Sequence, residues 1–471
     1  MASARILRIL GSLTSPSGSI TAMGWLNVRD YGAKCDGATN DTAAIQAALN
    51  AAASTGAGSP SSTVYIPAGY TVTGALTLPH GVTLRGAGMR STTLVAAPAL
   101  ATGTYLISNI ATARMMAVMD LRLIGNSANQ TTGNLIYGLQ YNATGTGVEY
   151  TDMRAQARSV HIEDFTGDAF TLAGRGVSQL TDCSAFNCGG NGFVLGVDNY
   201  VTGCDAGSCL NGFLINGCTQ LSNCKAWFSG YRNGTVPTGT VSGGNGHGFK
   251  LTGSSGNALT SIVAQDNAAT GIYLDGCTRV TISGWITDSN NNYAGGTCNN
   301  VEMNAAYNCT LTSGYNFDRN PPNAARPVSG FKAYSASGFN NIQFVTDGLL
   351  VKVNSASLTY QNVVEVDQSM GGSVAQAYAA SFTPDNTQGT VIDVGVLTGN
   401  LTINAPVLSA NGGHPFTLMF TQDATGSRTV TWNAAYRSYS WQPTATANAH
   451  SNVTFVWNAN AGIWEKMASQ N

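Results

Sequence analysis

The chain has 471 residues, a formal net charge of −2 and only 10% charged residues, so it lacks the basic face that a nucleic-acid partner requires. No apolar run approaches the roughly 20 residues of a membrane span, so we expect no membrane insertion. A chain of this length forms two or three domains or one long solenoid. With so little charge, it must rely on backbone hydrogen-bond ladders and on Ser, Thr and Asn surfaces.

The first 24 residues carry Arg5 and Arg8 among apolar side chains. A signal peptide needs an unbroken apolar core of about 7–15 residues, and Arg8 interrupts this one. We therefore predict no signal peptide. Residues 1–24 are either an adaptor that docks the protein onto a larger assembly or a disordered leader, and both interpretations stay open.

A strand, a glycine-rich turn and a helix are predicted for residues 25–53. Asn40 or Asp41 is placed to accept hydrogen bonds from the free amides at the helix start, where negative charge also suits the helix dipole. The helix, near residues 41–53, has one apolar face, formed by Ile45, Ala48, Leu49 and Ala52. Such a helix would cover the open end of the strands that follow.

A repeat of about 20 residues runs through residues 167–318. Each unit has a turn residue, an apolar residue, a variable residue and a second apolar residue, the pattern of a short strand. The first apolar positions are Phe170, Phe193, Phe213, Phe249 and Ile272, at steps of 23, 20, 36 and 23 residues. A second apolar strand follows each of them, which predicts that these residues form the coils of a solenoid, namely a parallel β-helix. The resemblance described below extends the predicted β-helix to residues 25–368. The 36-residue step holds an inserted loop around residues 231–246.

The cysteines follow the same repeat. Cys183, Cys204 and Cys224 occupy one position in successive coils, which favours a column of small buried hydrophobic side chains. Cys188 and Cys209 also align, and strands about 4.8 Å apart leave a disulfide open, although free thiols are favoured. No Cys-x-x-Cys pair with a histidine cluster occurs, so neither a metal nor a cofactor is predicted.

The C-terminal part of the chain has a different residue pattern. After a linker predicted at residues 369–380, residues 381–471 contain six short segments that alternate apolar and polar residues, which predicts an antiparallel β-sandwich. Trp432, Trp457 and Trp464 are assigned to its core. Trp441 is left open between the core and a sugar or subunit contact, because an indole buries a large area yet keeps a polar edge.

Residues 25–53 closely resemble the opening of the pectate-lyase-like superfamily of right-handed β-helices, which includes polysaccharide lyases, polygalacturonases and bacteriophage tailspikes. Residues 63–69, 82–88 and 119–125 look like its early coils. Residues 417–432 are similar to a C-terminal domain common in phage tail proteins. The expected fold is all-β: a right-handed parallel β-helix with an N-terminal capping helix and a C-terminal antiparallel β-sandwich.

The resemblance implies a phage tailspike or tail fibre of the virion that recognises a host cell-surface glycan during adsorption. A polysaccharide depolymerase, either a glycoside hydrolase or a lyase, and a purely structural virion component are the alternatives. The expected partners are two further copies in a homotrimer, other phage tail proteins bound through residues 1–24, and the host surface polysaccharide.

Enzymatic activity stays open because no complete catalytic motif is present. The His247-Gly248 pair resembles that of polygalacturonases, but their Asn-Thr-Asp, Asp-Asp and Arg-Ile-Lys motifs are missing. Hydrolysis needs two carboxyls about 5–10 Å apart. The outward-facing candidates beside the insertion are Asp266, Asp275, Asp288 and Glu302. Asp182 with Asp205 is a weaker set, and the solvation of strand edges explains most of these carboxylates equally well.

The candidate glycan contacts are Tyr231, Arg232, His247 and Trp441. Long loops between regular coils often carry binding function, and Tyr231 and Arg232 could stack on and hydrogen-bond a sugar. A decorated surface loop or a trimer contact is the alternative. His247 occupies the turn position that asparagine or threonine fills in other coils, which favours a structural role.

Overall fold

The computed structural model describes residues 25–53, 62–110, 112–142, 154–172, 176–232, 245–290, 299–317, 330–334, 337–338, 340–347, 353–355, 362–367, 374–375, 378–384, 391–406, 415–458 and 461–470. The chain divides into two compact units, Met1–Glu365 and Val366–Asn471. The predictions for residues 1–24, and for residues 233–244 of the inserted loop, lie outside the described residues.

The first unit is built from short strands and one α-helix, α1, at Thr42–Ala52. In chain order the strands are Leu26–Asn27 (β1), Thr63–Ile66 (β2), Gly69–Thr73 (β3), Leu76–Leu78 (β4), Thr83–Gly86 (β5), Thr92–Ala96 (β6), Thr104–Asn109 (β7), Ala117–Ile124 (β8), Ile136–Tyr141 (β9), Ala155–Glu163 (β10), Phe170–Leu172 (β11), Ser178–Thr181 (β12), Ser184–Phe186 (β13), Phe193–Leu195 (β14), Asn199–Thr202 (β15), Asp205–Gly207 (β16), Phe213–Ile215 (β17), Thr219–Ser222 (β18), Lys225–Trp227 (β19), Phe249–Thr252 (β20), Ala258–Thr260 (β21), Val263–Gln265 (β22), Ile272–Asp275 (β23), Thr281–Ser283 (β24), Ile286–Asp288 (β25), Val301–Asn304 (β26), Thr310–Phe317 (β27), Phe331–Tyr334 (β28), Asn341–Asp347 (β29), Val353–Ser355 (β30) and Asn362–Asp367 (β31).

These strands form the stacked coils of a parallel β-helix, as predicted. Sheet 1 holds eleven parallel strands: β4, β7, β9, β11, β14, β17, β20, β23, β26, β28 and β30. A twenty-stranded sheet bends into two halves, which we name sheet 2 (β2, β5, β12, β15, β18, β21 and β24) and sheet 3 (β3, β6, β13, β16, β19, β22 and β25). The longer strands β8, β10, β27 and β29 run through both halves, and β1 and β31 add to the same sheet.

Helix α1 starts and packs much as the sequence indicates. The Asn40 side chain accepts from the Thr42 amide, whereas both carboxylate oxygens of Asp41 accept from the turn amides of Lys34 and Cys35. The helix buries the predicted face of Ile45, Ala48, Leu49 and Ala52. These side chains belong to the same core cluster as the first coils.

Aromatic rings stack in the interior at the spacing of the coils. Phe170, Phe193, Phe213 and Phe249 are fully buried and in register on consecutive sheet 1 strands. Their neighbouring ring centroids lie 4.7, 4.7 and 4.8 Å apart with interplanar angles of 3–6°. The predicted column is therefore confirmed.

The cysteines lie in a second interior column and are free thiols. Cys183, Cys204 and Cys224 are buried at corresponding positions, and Cys188 and Cys209 are buried without a disulfide. Burial and its thiol neighbour raise the pKa of Cys188, and burial raises that of Cys224 to about 11. These thiols behave as small hydrophobic side chains.

Two corners of each coil require the left-handed backbone conformation. Between sheets 2 and 3 the residues with positive φ are Asp182, Gly203, Asn223, Ser261, Gly284 and Ser313. Where sheet 3 ends, they are Asp164, Asn187, Ser208, Phe228, Asp266 and Ser289. Gly, Asn and Asp adopt this conformation at low cost, and they supply four of the six residues in the first column and three of the six in the second. Phe228 departs from this rule.

The second unit contains two sheets. Its strands are Val374–Ala375 (β32), Ser381–Phe382 (β33), Val391–Leu397 (β34), Leu401–Ile403 (β35), Phe416–Gln422 (β36), Val430–Trp432 (β37), Tyr436–Arg437 (β38), His450–Asn458 (β39) and Ile463–Gln470 (β40). One sheet has the order β32-β34-β36-β39-β40-β38 and the other the order β33-β35-β37. A separate core fills this unit, including Phe416, Phe420, Phe455 and Trp464.

The pairing in the second unit is mixed. Only β36–β39 and β39–β40 are antiparallel among its described pairs, whereas β34–β36 and β35–β37 are parallel. Successive strands up to β37 alternate between the two sheets, so neighbours within a sheet run in the same direction. The expected all-β fold is confirmed, with its antiparallel part confined to these pairs.

Candidate functional site

Two rows of residues follow the strands of sheet 1, one member from each coil, and only part of each row reaches the outer surface. The first row, at the start of the strands, is Tyr105, Tyr137, Asp168, Asn191, Asn211, His247, Thr270 and Asn299. The second row, along the strands, is Ser108, Gln140, Thr171, Val194, Leu214, Lys250, Tyr273, Glu302 and Lys332. In the first row the members after Asp168 are buried, and the second row contains the buried Thr171 and Glu302. We call these two rows the sheet 1 face. Successive members lie about 4.8 Å apart because parallel ladders fix that spacing.

Two stacked tyrosines mark one end of the sheet 1 face. The ring centroids of Tyr105 and Tyr137 lie 4.7 Å apart at an interplanar angle of 24°, and both side chains are half-buried. Gly167 lies under Tyr137, where a Cβ would approach the ring to 2.6 Å. Burial raises the pKa of both tyrosines, with the Asp168 carboxylate adding to the effect. The pair is a rigid, partly exposed aromatic surface.

Asp168 lies beside this pair. Its Oδ1 atom accepts hydrogen bonds from the Asn191 backbone amide at 2.6 Å and from the Asn191 side chain at 2.8 Å. Burial raises the pKa of Asp168 although these hydrogen bonds oppose the rise. A raised pKa is the direction that suits a group that donates a proton to a bound molecule.

A chain of amides connects Asp168 with His247. The side-chain oxygen of Asn191 accepts from Asn211 at 2.8 Å, and that of Asn211 accepts from the His247 backbone amide at 3.0 Å. The His247 ring is buried and stacks on Tyr273 with centroids 4.8 Å apart and an interplanar angle of 20°. His247 therefore supports Tyr273 and closes a turn, which agrees with the structural interpretation.

Carboxylates surround Tyr273 at the other end of the face. Oε1 of Glu302 accepts from the Thr270 hydroxyl at 2.8 Å and from the amide and side chain of Asn299 at 2.9 and 2.8 Å. Asp275 accepts from the Asn304 side chain at 2.7 Å. Burial lowers the pKa of Lys250, and the negative charge of Asp275 opposes that shift. Glu302 thus braces a turn, whereas Asp275 pairs with its neighbours on the strand surface.

The four predicted catalytic carboxylates do not form one cluster. Asp275 and Glu302 lie on adjacent strands of the sheet 1 face. Asp266 and Asp288 lie instead where sheet 3 ends, with the Asp266 amide donating to the Asp288 carbonyl at 2.9 Å. Their carboxylates accept from Gln265 and Ser289. The turn at residues 266–271 separates the two pairs.

The weaker carboxylate pair is also divided. Asp182 lies at the corner between sheets 2 and 3, whereas Asp205 lies on β16 and accepts from the Ser184 hydroxyl at 3.1 Å. This pair is therefore not part of the site that we propose.

Tyr231 and Arg232 lie together at the turn after β19. The Tyr231 ring packs edge-on against Phe228, with centroids 5.7 Å apart. The Arg232 guanidinium reaches back along the coils to within 3.8 Å of the Asp164 carboxylate. A shallow cleft beside them is lined by Cys188, Gly189, Cys209, Leu210, Gly230, Tyr231 and Arg232.

Trp441 lies in the core of the second unit and is 7% exposed. Its carbonyl accepts from the Trp432 indole at 2.9 Å. A buried indole has no face available to a sugar, so Trp441 does not belong to a glycan site. This corrects the expectation that it could contact a ligand.

Sequence reasoning missed Tyr105, Tyr137 and Asp168 as site residues. One signal was available, because Asp168 occupies the position that Asn191 and Asn211 fill in the next coils. The tyrosines precede the regular repeat, so no period predicts their register.

Among the described residues no group of three or more His, Cys, Asp or Glu side chains could hold a metal ion. No described helix is long and apolar enough to cross a membrane.

Stacked parallel coils with a polar sheet face define a pectate-lyase-like β-helix. Residues 25–298 match the family model described as rhamnogalacturonase A/epimerase, pectate lyase-like, and the chain belongs to this family. Residues 382–461 match a phage tail fibre C-terminal domain. The predicted resemblance to phage tailspikes is confirmed, and the chain has the organisation of a phage tail protein.

Two curated relatives come from Azotobacter vinelandii. Alginate lyase 7 is 33% identical over 180 residues, which are 36% of this chain and 20% of that protein. The mannuronan C5-epimerase AlgE4 is 32% identical over 180 residues, 36% of this chain and 31% of that protein. The match thus spans less than a third of each relative.

Two solved structures share the fold. The A-module of A. vinelandii AlgE4 has a TM-score of 0.55 at 18% identity, covering 72% of this chain and 99% of the module. The full-length tailspike protein 2 of Escherichia coli O157:H7 bacteriophage CAB120 has a TM-score of 0.58 at 14% identity, covering 95% of this chain and 62% of the tailspike.

Proposed function

We propose that this phage tail protein recognises a host cell-surface glycan through the sheet 1 face. The observation that carries the proposal is the Tyr105–Tyr137 stack beside Asp168. Aromatic rings offer an apolar surface for the C–H face of a sugar ring and a hydroxyl at the edge for hydrogen bonding. Asp168, Asn191 and Gln140 supply polar groups around that surface.

The spacing of the face suits a linear polysaccharide. The partly exposed Tyr137 and Tyr273 are five coils apart, which corresponds to about 24 Å at the usual strand spacing. A chain of several sugar rings could therefore contact both ends of the face. The relatives are named for alginate and mannuronan, so we propose a uronate-containing glycan as the ligand class.

Cleavage of the bound glycan is the second candidate function. It is favoured by the position of Asp168 beside the Tyr105–Tyr137 stack, where burial raises the pKa of its carboxyl, the direction that suits a general acid. The predicted carboxylate Asp275 lies four coils away, about 19 Å at the usual strand spacing, so it is too far to be the partner carboxyl of Asp168 in hydrolysis. We propose Asp168 as the proton donor if turnover occurs.

We also propose that the protein acts in the virion as a homotrimer. Residues 1–24 would contact other tail proteins, and the match of residues 382–461 to a tail fibre domain supports a place in the phage tail. The predicted linker at residues 369–380 and the predicted domains at 25–368 and 381–471 fit this division of roles.

Binding of a hexamer of mannuronate to the purified full chain tests the first proposal by calorimetry. We expect Tyr137→Ala to weaken binding roughly tenfold or more, as loss of a central aromatic contact does. Tyr200→Ala is the matched control, because Tyr200 is 42% exposed on the outer surface of sheet 2. Equal affinities of wild type and Tyr137→Ala would contradict the proposed site.

Turnover is measured separately on the same oligosaccharide. Unsaturated ends report β-elimination and new reducing ends report hydrolysis. Asp168→Asn should abolish either product if Asp168 is the proton donor. Binding without any product by the wild type would leave recognition as the function.

A further inference from the structure

A group of four aromatic side chains lies away from the sheet 1 face, where sheet 3 ends. Phe186 and Trp227 stack with ring centroids 5.6 Å apart at 27°. Phe228 meets Trp227 edge-on at 5.8 Å, and Tyr231 meets Phe228 at 5.7 Å and 84°. All four are partly exposed, and Phe228 is 38% exposed.

The backbone at Phe228 is unfavourable for its side chain. Phe228 has φ of 49°, and the aligned corner residues of neighbouring coils are Asn187, Ser208, Asp266 and Ser289. A bulky residue in this conformation is an outlier, whereas Asn and Asp adopt it readily. Burial of the ring does not offset this backbone strain, because Phe228 is still 38% exposed. Strain of this kind accumulates where function requires a side chain in one place.

The neighbouring coil leaves room for the rings. Gly207 lies between Phe186 and Trp227 in the ladder, and a Cβ there would approach Cε2 and Cζ2 of Trp227 to 2.4 Å. The Trp227 ring therefore lies directly over the Gly207 backbone and reaches Phe186. A side chain at position 207 would push the indole away and break the continuous aromatic surface.

Polar side chains border the rings on the same strands. Ser184, Asp205 and Lys225 form the adjacent outward row, with the Ser184 hydroxyl donating to Asp205 at 3.1 Å. Partly exposed rings next to hydroxyl, carboxylate and ammonium groups suit a sugar, whose C–H face is apolar and whose hydroxyls are polar.

We propose that Phe186, Trp227, Phe228 and Tyr231 form a second carbohydrate platform, which binds one hexopyranose unit of a glycan by its apolar face. Asp205 and Lys225 hydrogen-bond the hydroxyls at the edge of that sugar. The platform spans three coils, about 10–14 Å at the usual strand spacing, which is one or two sugar rings.

A substitution at Phe228, in the column of positive-φ residues where sheet 3 ends, can separate an effect on glycan binding from an effect on stability. Phe228→Asn installs a residue that the same column already uses two coils away, at Asn187, so we expect a melting temperature equal to or above that of the wild type. Phe228→Leu keeps the apolar bulk and the backbone conformation but removes the ring. Ser208→Asn, one coil away in the same column, is the matched control.

The test titrates the full chain with cellohexaose, chitohexaose and hexamannuronate, by calorimetry and by quenching of tryptophan fluorescence. We expect at least one probe to bind, Phe228→Asn and Phe228→Leu to weaken it roughly tenfold or more, and Ser208→Asn to leave it unchanged. Wild-type affinity in Phe228→Asn, or binding of none of the three probes, would overturn the platform. Dissociation of an oligomer by Phe228→Asn would also overturn it and assign the patch to a subunit contact.

Tyr137→Ala, measured in parallel, separates this proposal from that for the sheet 1 face. Loss of binding in Phe228→Asn but not in Tyr137→Ala supports the platform and contradicts the sheet 1 site. The reverse result supports the sheet 1 site and overturns the platform. Partial losses in both, combined in the double variant, support two independent sites.

Discussion

Asp168 shows how one residue of the repeat can favour binding at the expense of stability. Its neighbours in the same column, Asn191 and Asn211, make hydrogen bonds with neutral amides, whereas Asp168 brings a carboxylate into a partly buried position. Burial raises its pKa, so the charged form is disfavoured in the folded protein. A residue under this constraint is unfavourable for folding at neutral pH.

Replacement of Asp168 by Asn should therefore stabilise the protein at pH 7. The folded state binds a proton more readily than the unfolded chain, so the stability that this group contributes is greatest below about pH 3.9, the ordinary aspartate pKa. It is lost as the pH rises through the raised folded value. Urea unfolding should show Asp168→Asn above wild type at pH 7 and equal to it near pH 3. The reciprocal control, Asn211→Asp, should be destabilised at pH 7, and a less stable Asp168→Asn would contradict this account.

Phe213 tests the interior column. Its ring lies between those of Phe193 and Phe249 and is fully buried. Phe213→Ala should lower the free energy of unfolding by about 3–5 kcal/mol through lost transfer energy and a residual cavity. Denaturant unfolding measures the change, with Tyr200→Ala as an exposed control within ~0.5 kcal/mol of wild type. A loss below ~1 kcal/mol would show that the column does not support the coil stack.

At the scale of strands and helices, the sequence predicted the elements that repeat at a fixed period but few of the others. The Phe column, the Cys column and the apolar face of α1 followed from periods of about 20 and 3.6 residues, because each period places side chains on one surface. The parallel pairs β34–β36 and β35–β37 had no such signal. A strand that alternates apolar and polar residues has the same sequence pattern whether the next strand joins the same sheet or the opposite sheet.

The site was predicted less well than the fold for a related reason. Asp275 falls in the repeat, so its partly exposed position could be read from the sequence. Asp266, Asp288 and Glu302 were also expected to face outward, but the structure buries them. The Tyr105–Tyr137 contact depends on the pairing of β7 with β9, in coils of irregular length. The ring contacts of Phe228 depend on a corner conformation that its residue type does not favour.

The cysteine column gives a prediction at the scale of the coil stack. Burial raises the pKa of Cys224 to about 11, and burial with thiol neighbours also raises those of Cys188 and Cys204. Thiolate is the reactive form, so at pH 7 these thiols should react with a disulfide reagent only after unfolding. The melting temperature should not change with added reductant. A reductant-dependent melting temperature would indicate a Cys188–Cys209 disulfide and contradict the free-thiol structure.

At the scale of the whole molecule, two units with separate cores share one chain. The first carries the sheet 1 face and the aromatic platform. The second matches a phage tail fibre domain over residues 382–461. Two proposed glycan sites in the first unit and a tail fibre domain match in the second agree with the proposed role in adsorption.

The homotrimer is tested on the full chain by light scattering. Its chain mass is 48.7 kDa, and we expect a particle of three times that mass. Closed symmetric assembly is the usual state of such oligomers, and it would give three copies of each proposed binding face. A monomer over the micromolar range would rule the trimer out.

The direction of the ladder hydrogen bonds has a mechanical consequence for the coil stack. In the first unit every ladder bond joins one coil to the next, so these bonds point along the coil axis. Tension along that axis loads the coils in series, and the weakest coil-to-coil junction opens first. Tension across the axis is carried by the covalent backbone of each coil. The solenoid therefore resists sideways force far better than axial peeling, and helix α1 protects the terminal coil on which it packs.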